Sequence, residues 1–139
     1  MMPESANEIV SNLIQAYNAH DLDRAARHYT ADYEGIDVAS AAPHRGPEGI
    51  RQSLAQYFQA FPDLEFTEEQ TIVDTSHIVQ VWTASGTHRG TLMNIPPTGR
   101  KIKVHGVSVL TLEGDKIRHG YYVWDVAGLL RSIGLLPEL

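Results

Sequence analysis

The chain has 139 residues, of which 42% are hydrophobic and 20% are charged, and it contains no cysteine. These values are typical of one soluble globular domain, and they exclude disulfides, thiolate nucleophiles and cysteine metal sites. The 17 acidic residues outnumber the 11 basic ones and give a formal net charge of −6, which argues against a nucleic-acid or anionic-membrane partner.

The beginning of the chain bears on its location. Residues 1–5 lack the basic flank and the long apolar run of a signal peptide or a membrane anchor. Because there is no cysteine, the chain is also compatible with a reducing compartment. We therefore expect a cytoplasmic protein that has no membrane partner.

Helical spacing of apolar residues predicts two helices near the N-terminus. Ser5 and Glu8 form a capping box in front of a helix over residues 6–19. Asp21 then caps a shorter second helix, which is predicted to end near residues 30–32.

The next segment combines irregular and helical patterns. Residues 33–43 are mixed and rich in alanine, a pattern that we interpret as an irregular strand and loop. Gly46 and Pro47 then begin a third helix that runs to about Ala60, because proline is favoured at the first helical position.

The second half of the chain has the period of a β-sheet. Runs of β-branched and aromatic residues predict four strands, over residues 64–74, 77–89, 100–112 and 116–125. Their short connections predict an antiparallel meander. Asp125 then caps a last helix over residues 126–133, and Gly134 ends it in the left-handed conformation.

This order of elements predicts an α+β fold that forms one domain over residues 1–139. A strongly curved antiparallel sheet wrapped around N-terminal helices would form a cone-shaped α+β barrel. Such a barrel has a cavity inside, which is where a ligand is expected to bind.

One face of the last two strands is predicted to line that cavity. A three-residue hairpin loop between the strands would pair Ser108 with Gly120 and Gly106 with Tyr122, so that these residues share a face with Trp124. Small residues beside bulky aromatic rings leave open volume, as in a ligand pocket. We expect Tyr122 to donate a hydrogen bond to a ligand carbonyl there.

Aromatic residues of other elements are candidates for the same wall. Trp82, in a predicted strand, is either core or pocket wall. Phe58, in the third helix, either contacts a ligand or fills the gap together with Phe61. The pattern leaves these alternatives open.

The opposite face of the two strands is also largely apolar. It is expected to lie against another sheet or a second copy of the chain, since an uncovered apolar face favours aggregation. Its members are His105, Val107, Val109, Thr111, Ile117, His119, Tyr121, Val123 and Asp125.

Three stretches stand out along the chain: GTHRGTLMNIPPTGR at residues 86–100, VHGV at 104–107 and WDVAGLLRSIG at 124–134. They resemble the SnoaL-like polyketide cyclase family, within the nuclear transport factor 2-like superfamily. The resemblance implies the cone-shaped α+β barrel, usually as a homodimer, with no metal and no organic cofactor. It also implies ring closure on polyketide esters by intramolecular aldol condensation.

The expected catalytic residues of that family are not all present. The family's acid/base is an aspartate three residues before the aspartate that opens the terminal helix, and here that position is Tyr122. The assisting Gln and His of the adjacent strand fall on Gly106 and Ser108. A phenol is a poor base at neutral pH, but it can donate a hydrogen bond to an enolate oxygen.

Three other residues are candidates for the missing base: Glu34, Asp37 and His88. For the two carboxylates the alternative is a solvated loop position. For His88 the alternative is a structural hydrogen bond to the turn at residues 96–97. Asp125 is interpreted as a helix cap rather than a catalytic group.

No pattern indicates a metal or nucleotide site. The other six histidines lack His-x-His or His-Glu-x-x-His spacing, and no glycine-rich phosphate loop occurs. Two hypotheses remain. In the first, the chain is a small cofactor-free cyclase or isomerase that moves protons on an apolar carbonyl compound. In the second, it is either a non-catalytic binder of an apolar small molecule or a family member whose chemistry has drifted.

Overall fold

The computed structural model describes residues 5–138. The first two helices, α1 (Ala6–Asn18) and α2 (Leu22–Ala26), begin where the sequence predicts. Ser5 caps α1 by accepting the Glu8 N–H, and Asp21 caps α2. No helix within residues 5–138 has the length and hydropathy needed to cross a bilayer.

The second helix is shorter than predicted. It ends at Ala26, and residues 30–32 belong instead to strand β1, Tyr29–Asp37. The physical reason is tertiary, because Tyr29 and Tyr33 are buried in the core when β1 pairs with the last strand. The segment predicted as an irregular strand and loop is indeed a strand up to Asp37 followed by turns over residues 38–42, and the pairing of β1 with β6 shifts register between Tyr29 and Glu34.

A short strand that was not predicted, β2 (His44–Arg45), comes next. The remaining elements follow the predicted order. They are α3 (Gly46–Ala60), β3 (Glu65–Val73), β4 (His77–Thr87), β5 (Lys101–Glu113), β6 (Lys116–Trp124) and α4 (Val126–Ser132). After α4, Gly134 has φ +87°, so it provides the predicted left-handed end.

The strands form one curved six-stranded sheet in the order β2-β1-β6-β5-β4-β3. All neighbours are antiparallel except β1 and β6, which are parallel. This pairing places Asp37 directly beside Tyr122. The fold is the α+β arrangement predicted from the sequence, with helices packed against one side of the sheet.

The β5–β6 register differs from the prediction by two residues. Ser108 pairs with Tyr122 and Gly106 with Trp124, because the hairpin turn has two residues and a bulge lies beyond Thr111. A shift of two keeps each residue on its predicted face. The bulge does reverse Ile117, which was predicted on the outer face and is fully buried in the core.

Two apolar clusters make up the core. One joins α1, α2 and α3 to the sheet, and the other joins the end of α3 to α4 and to β4 and β5. Side chains of both clusters surround an internal cavity.

Candidate active site

The cavity lies between the helices and the inner face of the sheet. It has a cavity volume of about 140 Å³ and opens to solvent at a mouth. Its walls come from α1, α3, α4 and the inner face of the sheet, and most are apolar. A cavity with such apolar walls suits an apolar small molecule.

Two rows of side chains cross the floor of the cavity. The strand pairing sets Gln80, Ser108, Tyr122 and Asp37 side by side on β4, β5, β6 and β1. We call this the polar row. The adjacent aromatic row contains Trp82, Gly106 and Trp124 on β4, β5 and β6.

Gly106 supports the aromatic row without itself lining the cavity. A Cβ at this position would collide with the ring of Trp82. The predicted open space beside Gly106 is therefore occupied by Trp82, whose indole N–H donates to Ser108 Oγ at 2.9 Å. Ser108, Tyr122 and Trp124 line the cavity as predicted, and Trp82, for which core and pocket wall were both open, lines it too.

Asp37 places a carboxylate at the cavity wall. Its Oδ1 accepts the indole N–H of Trp124 at 2.9 Å and the backbone N–H of Ala39 at 2.8 Å, and its Oδ2 accepts the hydroxyl of Tyr57 at 3.1 Å. A carboxylate offers about four lone-pair sites, so one remains for a substrate proton. The donors fix the carboxylate in one orientation.

A chain of hydroxyl groups lies beside this carboxylate. The hydroxyl oxygens of Tyr122 and Tyr33 are 2.6 Å apart, and Tyr33 reaches His44 Nε2 at 3.0 Å. Burial lowers the pKa of His44 below its ordinary value, while nearby Asp37 acts in the opposite direction. His44 is therefore largely neutral near pH 7, so its Nε2 either accepts the Tyr33 hydrogen or donates one, depending on the tautomer.

Burial keeps the phenols of the site protonated. It raises the pKa of Tyr122 and Tyr33 well above 10, and it raises the pKa of Tyr17 to about 12. The Tyr17 hydroxyl lies 2.5 Å from the hydroxyl of Tyr29, another phenol of the cavity wall. These groups act as hydrogen-bond donors at neutral pH, not as bases.

Paired glycines make room for the hydroxyl chain. Gly35 on β1 pairs with Gly120 on β6. A Cβ on Gly35 would collide with Tyr33 and His44, and one on Gly120 would collide with the Tyr122 hydroxyl. Only glycine allows the rings to approach the sheet this closely.

Three predicted site residues lie elsewhere. Glu34 points to the other face of β1, where it pairs with Arg45 at 2.8 Å. His88 is buried in the long β4–β5 connection and bonds to Thr98, so it follows the structural alternative. Phe58 is not in the cavity lining, because its ring stacks on His20 with centroids 4.0 Å apart.

Other residues at the site were missed by sequence reasoning. They are Tyr33, His44, Tyr57 and Gln80, which come from β1, β2, α3 and β4. Tyr57 stands at helical spacing from Ile50 and Leu54, so the sequence could have indicated that its side chain points to the core. The contribution of His44 depends on the β1–β2 pairing, for which the sequence has no clear signal.

Asp125 has the structural role predicted for it. Its Oδ1 accepts the N–H of Gly128 at 2.8 Å, which caps α4. No group of three or more metal-ligating side chains occurs within residues 5–138.

The amino-acid sequence is similar to those of known proteins over most of its length. The sequence model of the SnoaL-like polyketide cyclase family matches residues 7–133. The chain is 26% identical to aklanonic acid methyl ester cyclase DnrD of Streptomyces peucetius, over 91% of this chain and 89% of that protein. It is 25% identical to nogalonic acid methyl ester cyclase of Streptomyces nogalater, over 88% of this chain and 92% of that protein.

Solved structures share the fold. TsrD from Streptomyces laurentii superimposes with a TM-score of 0.85 at 25% identity, covering 94% of this chain and 95% of that one. A SnoaL-like polyketide cyclase from Agrobacterium tumefaciens gives a TM-score of 0.79 at 23% identity, covering 94% and 99%.

Proposed function

Because the chain belongs to the SnoaL-like polyketide cyclase family, we propose that it is a cyclase or isomerase in which Asp37 is the general base. The observation that carries this proposal is the Asp37 carboxylate at the cavity wall, beside Tyr122. The family's strand aspartate is absent at position 122. A carboxylate stands instead one strand away, on β1.

The proposed reaction begins with proton transfer from carbon. Asp37 removes a proton from the carbon next to a substrate carbonyl, and the C–H electrons form an enolate. The hydroxyl of Tyr122 donates a hydrogen bond to the enolate oxygen when His44 carries its hydrogen on Nε2 and donates to Tyr33. The neutral phenol is suited to this because burial keeps it protonated.

The reaction ends by returning the proton. In a cyclisation the enolate carbon attacks a second carbonyl of the same molecule, and the new alkoxide takes the proton back from Asp37. In an isomerisation the proton returns to another carbon. Both outcomes balance without a cofactor, and the apolar walls exclude water from the enolate.

The substrate is proposed from the lining and the relatives. The two named relatives are cyclases of aklanonic and nogalonic acid methyl esters. The mainly apolar lining of this cavity supports a substrate of the same type, an apolar carbonyl compound with acidic hydrogens.

Asp37→Asn tests the base directly. Asparagine can accept the N–H groups of Trp124 and Ala39 with its Oδ1 and can donate from its Nδ2 to the Tyr57 hydroxyl, but it cannot take a proton. With aklanonic acid methyl ester in deuterated buffer, we expect the rates of deuterium incorporation and cyclisation to fall about 100-fold or more, a typical loss for a general base. Chromatography with mass spectrometry measures both rates.

Glu34→Gln is the matched control. It removes a carboxylate from the same strand, but that carboxylate lies outside the cavity. Its rates should equal those of the unmodified protein. Unchanged rates in Asp37→Asn would show that Asp37 is not the base.

A non-catalytic binding protein is the second candidate function. It is favoured by Tyr122, which stands where the family has its aspartate. This candidate predicts that the unmodified protein binds the ester in the cavity but does not accelerate deuterium incorporation. The same experiment therefore separates the two functions.

A further inference from the structure

We propose that Gln80 is a second polar anchor in the cavity, which binds an oxygen at the end of the substrate remote from the reacting carbon. The inference rests on the proposed function, because it concerns the substrate of the same site. It adds a structural requirement for that substrate. The molecule should be elongated, apolar in its middle and oxygenated at both ends.

The side-chain amide of Gln80 has no hydrogen-bond partner for its Nε2 within residues 5–138. The residue is only 4% exposed, and it lines the cavity. A buried polar group without a partner opposes folding, so its presence calls for an explanation. A bound ligand would supply the partner that the protein does not.

Neither strand partner of Gln80 forms a hydrogen bond with its Nε2. Ser108, the strand partner of Gln80 on β5, accepts the indole N–H of Trp82. Thr71, the partner on β3, donates its hydroxyl to Glu68. The amide of Gln80 is therefore left available on the cavity side of the polar row.

The position of Gln80 defines the length of the ligand. It stands three strands from Asp37 along the polar row, with Ser108 and Tyr122 between them. Three strand spacings correspond to about 14 Å between backbones, and the side-chain tips lie closer on the concave face. Only an elongated molecule can contact both ends of the row.

The chemistry at the two ends is complementary. Asp37 accepts a proton, and the amide of Gln80 can donate to a carbonyl or ether oxygen or accept from a hydroxyl. Trp82 and Trp124 lie along the adjacent aromatic row and provide flat apolar contacts. The ligand class is therefore a rod-shaped or fused-ring compound with an oxygen at each end.

Two matched probes test the anchor. 4,4′-Diacetylbiphenyl has a carbonyl at both ends, and 4-acetyl-4′-isopropylbiphenyl has nearly the same shape with a carbonyl at one end only. Quenching of the fluorescence of Trp82 and Trp124 measures the dissociation constant of each. We expect the unmodified protein to bind the diketone about fivefold to tenfold more tightly, the effect of one net hydrogen bond.

Gln80→Met removes the amide at nearly constant volume. We expect the ratio of the two dissociation constants to fall to about one, mainly through weaker binding of the diketone. The melting temperature should be unchanged or higher, because methionine leaves no unpartnered buried amide. The melting temperature therefore also shows whether the variant is folded.

Thr83→Val is the matched control. Thr83 is a buried polar residue of the same strand that lies outside the cavity lining and donates to Glu69. This variant should keep the unmodified ratio.

The proposal is wrong if the unmodified protein binds both probes equally, or if Gln80→Met keeps its preference for the diketone. The second result would mean that a trapped water or the protein satisfies the amide. Failure of both probes to bind would also overturn the anchor. The role of Asp37 is judged separately, by deuterium incorporation, so failure of one proposal is distinguishable from failure of the other.

Discussion

Tyr122 has two structural roles, one for its ring and one for its hydroxyl, which the sequence analysis did not distinguish. Its ring lines the cavity, and its hydroxyl lies 2.6 Å from that of Tyr33 inside the protein. The hydroxyl is thus part of the structure before any ligand binds. Removing it should affect both the free protein and the complex.

We predict that Tyr122→Phe lowers the free energy of unfolding by about 1 kcal/mol, because one buried hydrogen bond is lost. It should also slow any reaction that needs a donor to the enolate oxygen. Urea unfolding followed by circular dichroism measures the stability.

Tyr121→Phe provides the comparison for this prediction. Tyr121 is 42% exposed on the opposite face of the same strand, so loss of its hydroxyl should leave stability unchanged. Equal stability of the two variants would contradict a structural role for the Tyr122 hydroxyl.

At the level of single residues, the sequence predicts which way a side chain points better than it predicts which residue that side chain contacts. Strand alternation suffices to turn Tyr122 and Trp124 inward, because adjacent side chains on a strand point to opposite faces. It cannot show that Trp124 donates to Asp37, since that contact joins residues that are far apart in sequence and meet only through a parallel strand pair.

The terminal helix α4 is capped by a residue next to it in sequence and also forms part of the cavity wall. Asp125 caps the helix, and Leu129 in its middle lines the cavity wall. Loss of the cap should therefore loosen one wall of the site without removing a reacting group.

We predict that Asp125→Ala lowers the free energy of unfolding by about 0.5–2 kcal/mol, the usual cost of losing an N-cap. Asp125→Asn should remain close to the unmodified protein, because asparagine caps equally well. Chemical denaturation of the three proteins measures these differences. If Asp125→Asn instead abolished turnover while staying stable, Asp125 would be catalytic and the cap interpretation would be incomplete.

At the level of elements, local signals identify most helices and strands but not every boundary. The caps at Ser5, Asp21 and Asp125 lie within a few residues of the groups that they bond, so they can be read directly. The end of α2 was misplaced because burial of Tyr29 and Tyr33 against β6 outweighs local helical spacing. A bulge likewise changed the direction of Ile117, and bulges carry no strong sequence signal.

The outer face of the sheet is apolar across several strands. Ile72, Val79, Val109, Tyr121 and Ile36 are consecutive partners from β3 through to β1. Three of them, Ile72, Val109 and Tyr121, are at least 36% exposed in the single chain. We propose that a second copy of the chain covers this face.

We predict a homodimer at micromolar concentration that Val109→Lys converts to a folded monomer. A buried lysine in an apolar interface is strongly unfavourable, whereas in the free monomer it is solvated. Sedimentation velocity measures the mass, and circular dichroism confirms folding. A monomer of the unmodified protein under these conditions would contradict the proposal.

The parallel pairing of β1 with β6 also determines when the site can form during synthesis. Its partners, Asp37 and Tyr122, are separated by most of the chain, and closing so long a loop is slow compared with forming a local hairpin. On the ribosome, β1 has no partner at that edge until β6 has emerged. A nascent chain that stops before residue 116 can form α1, α2, α3 and the β3–β4–β5 meander, but it cannot assemble the polar row. The Asp37–Tyr122 end of the cavity therefore forms only after β6 has emerged.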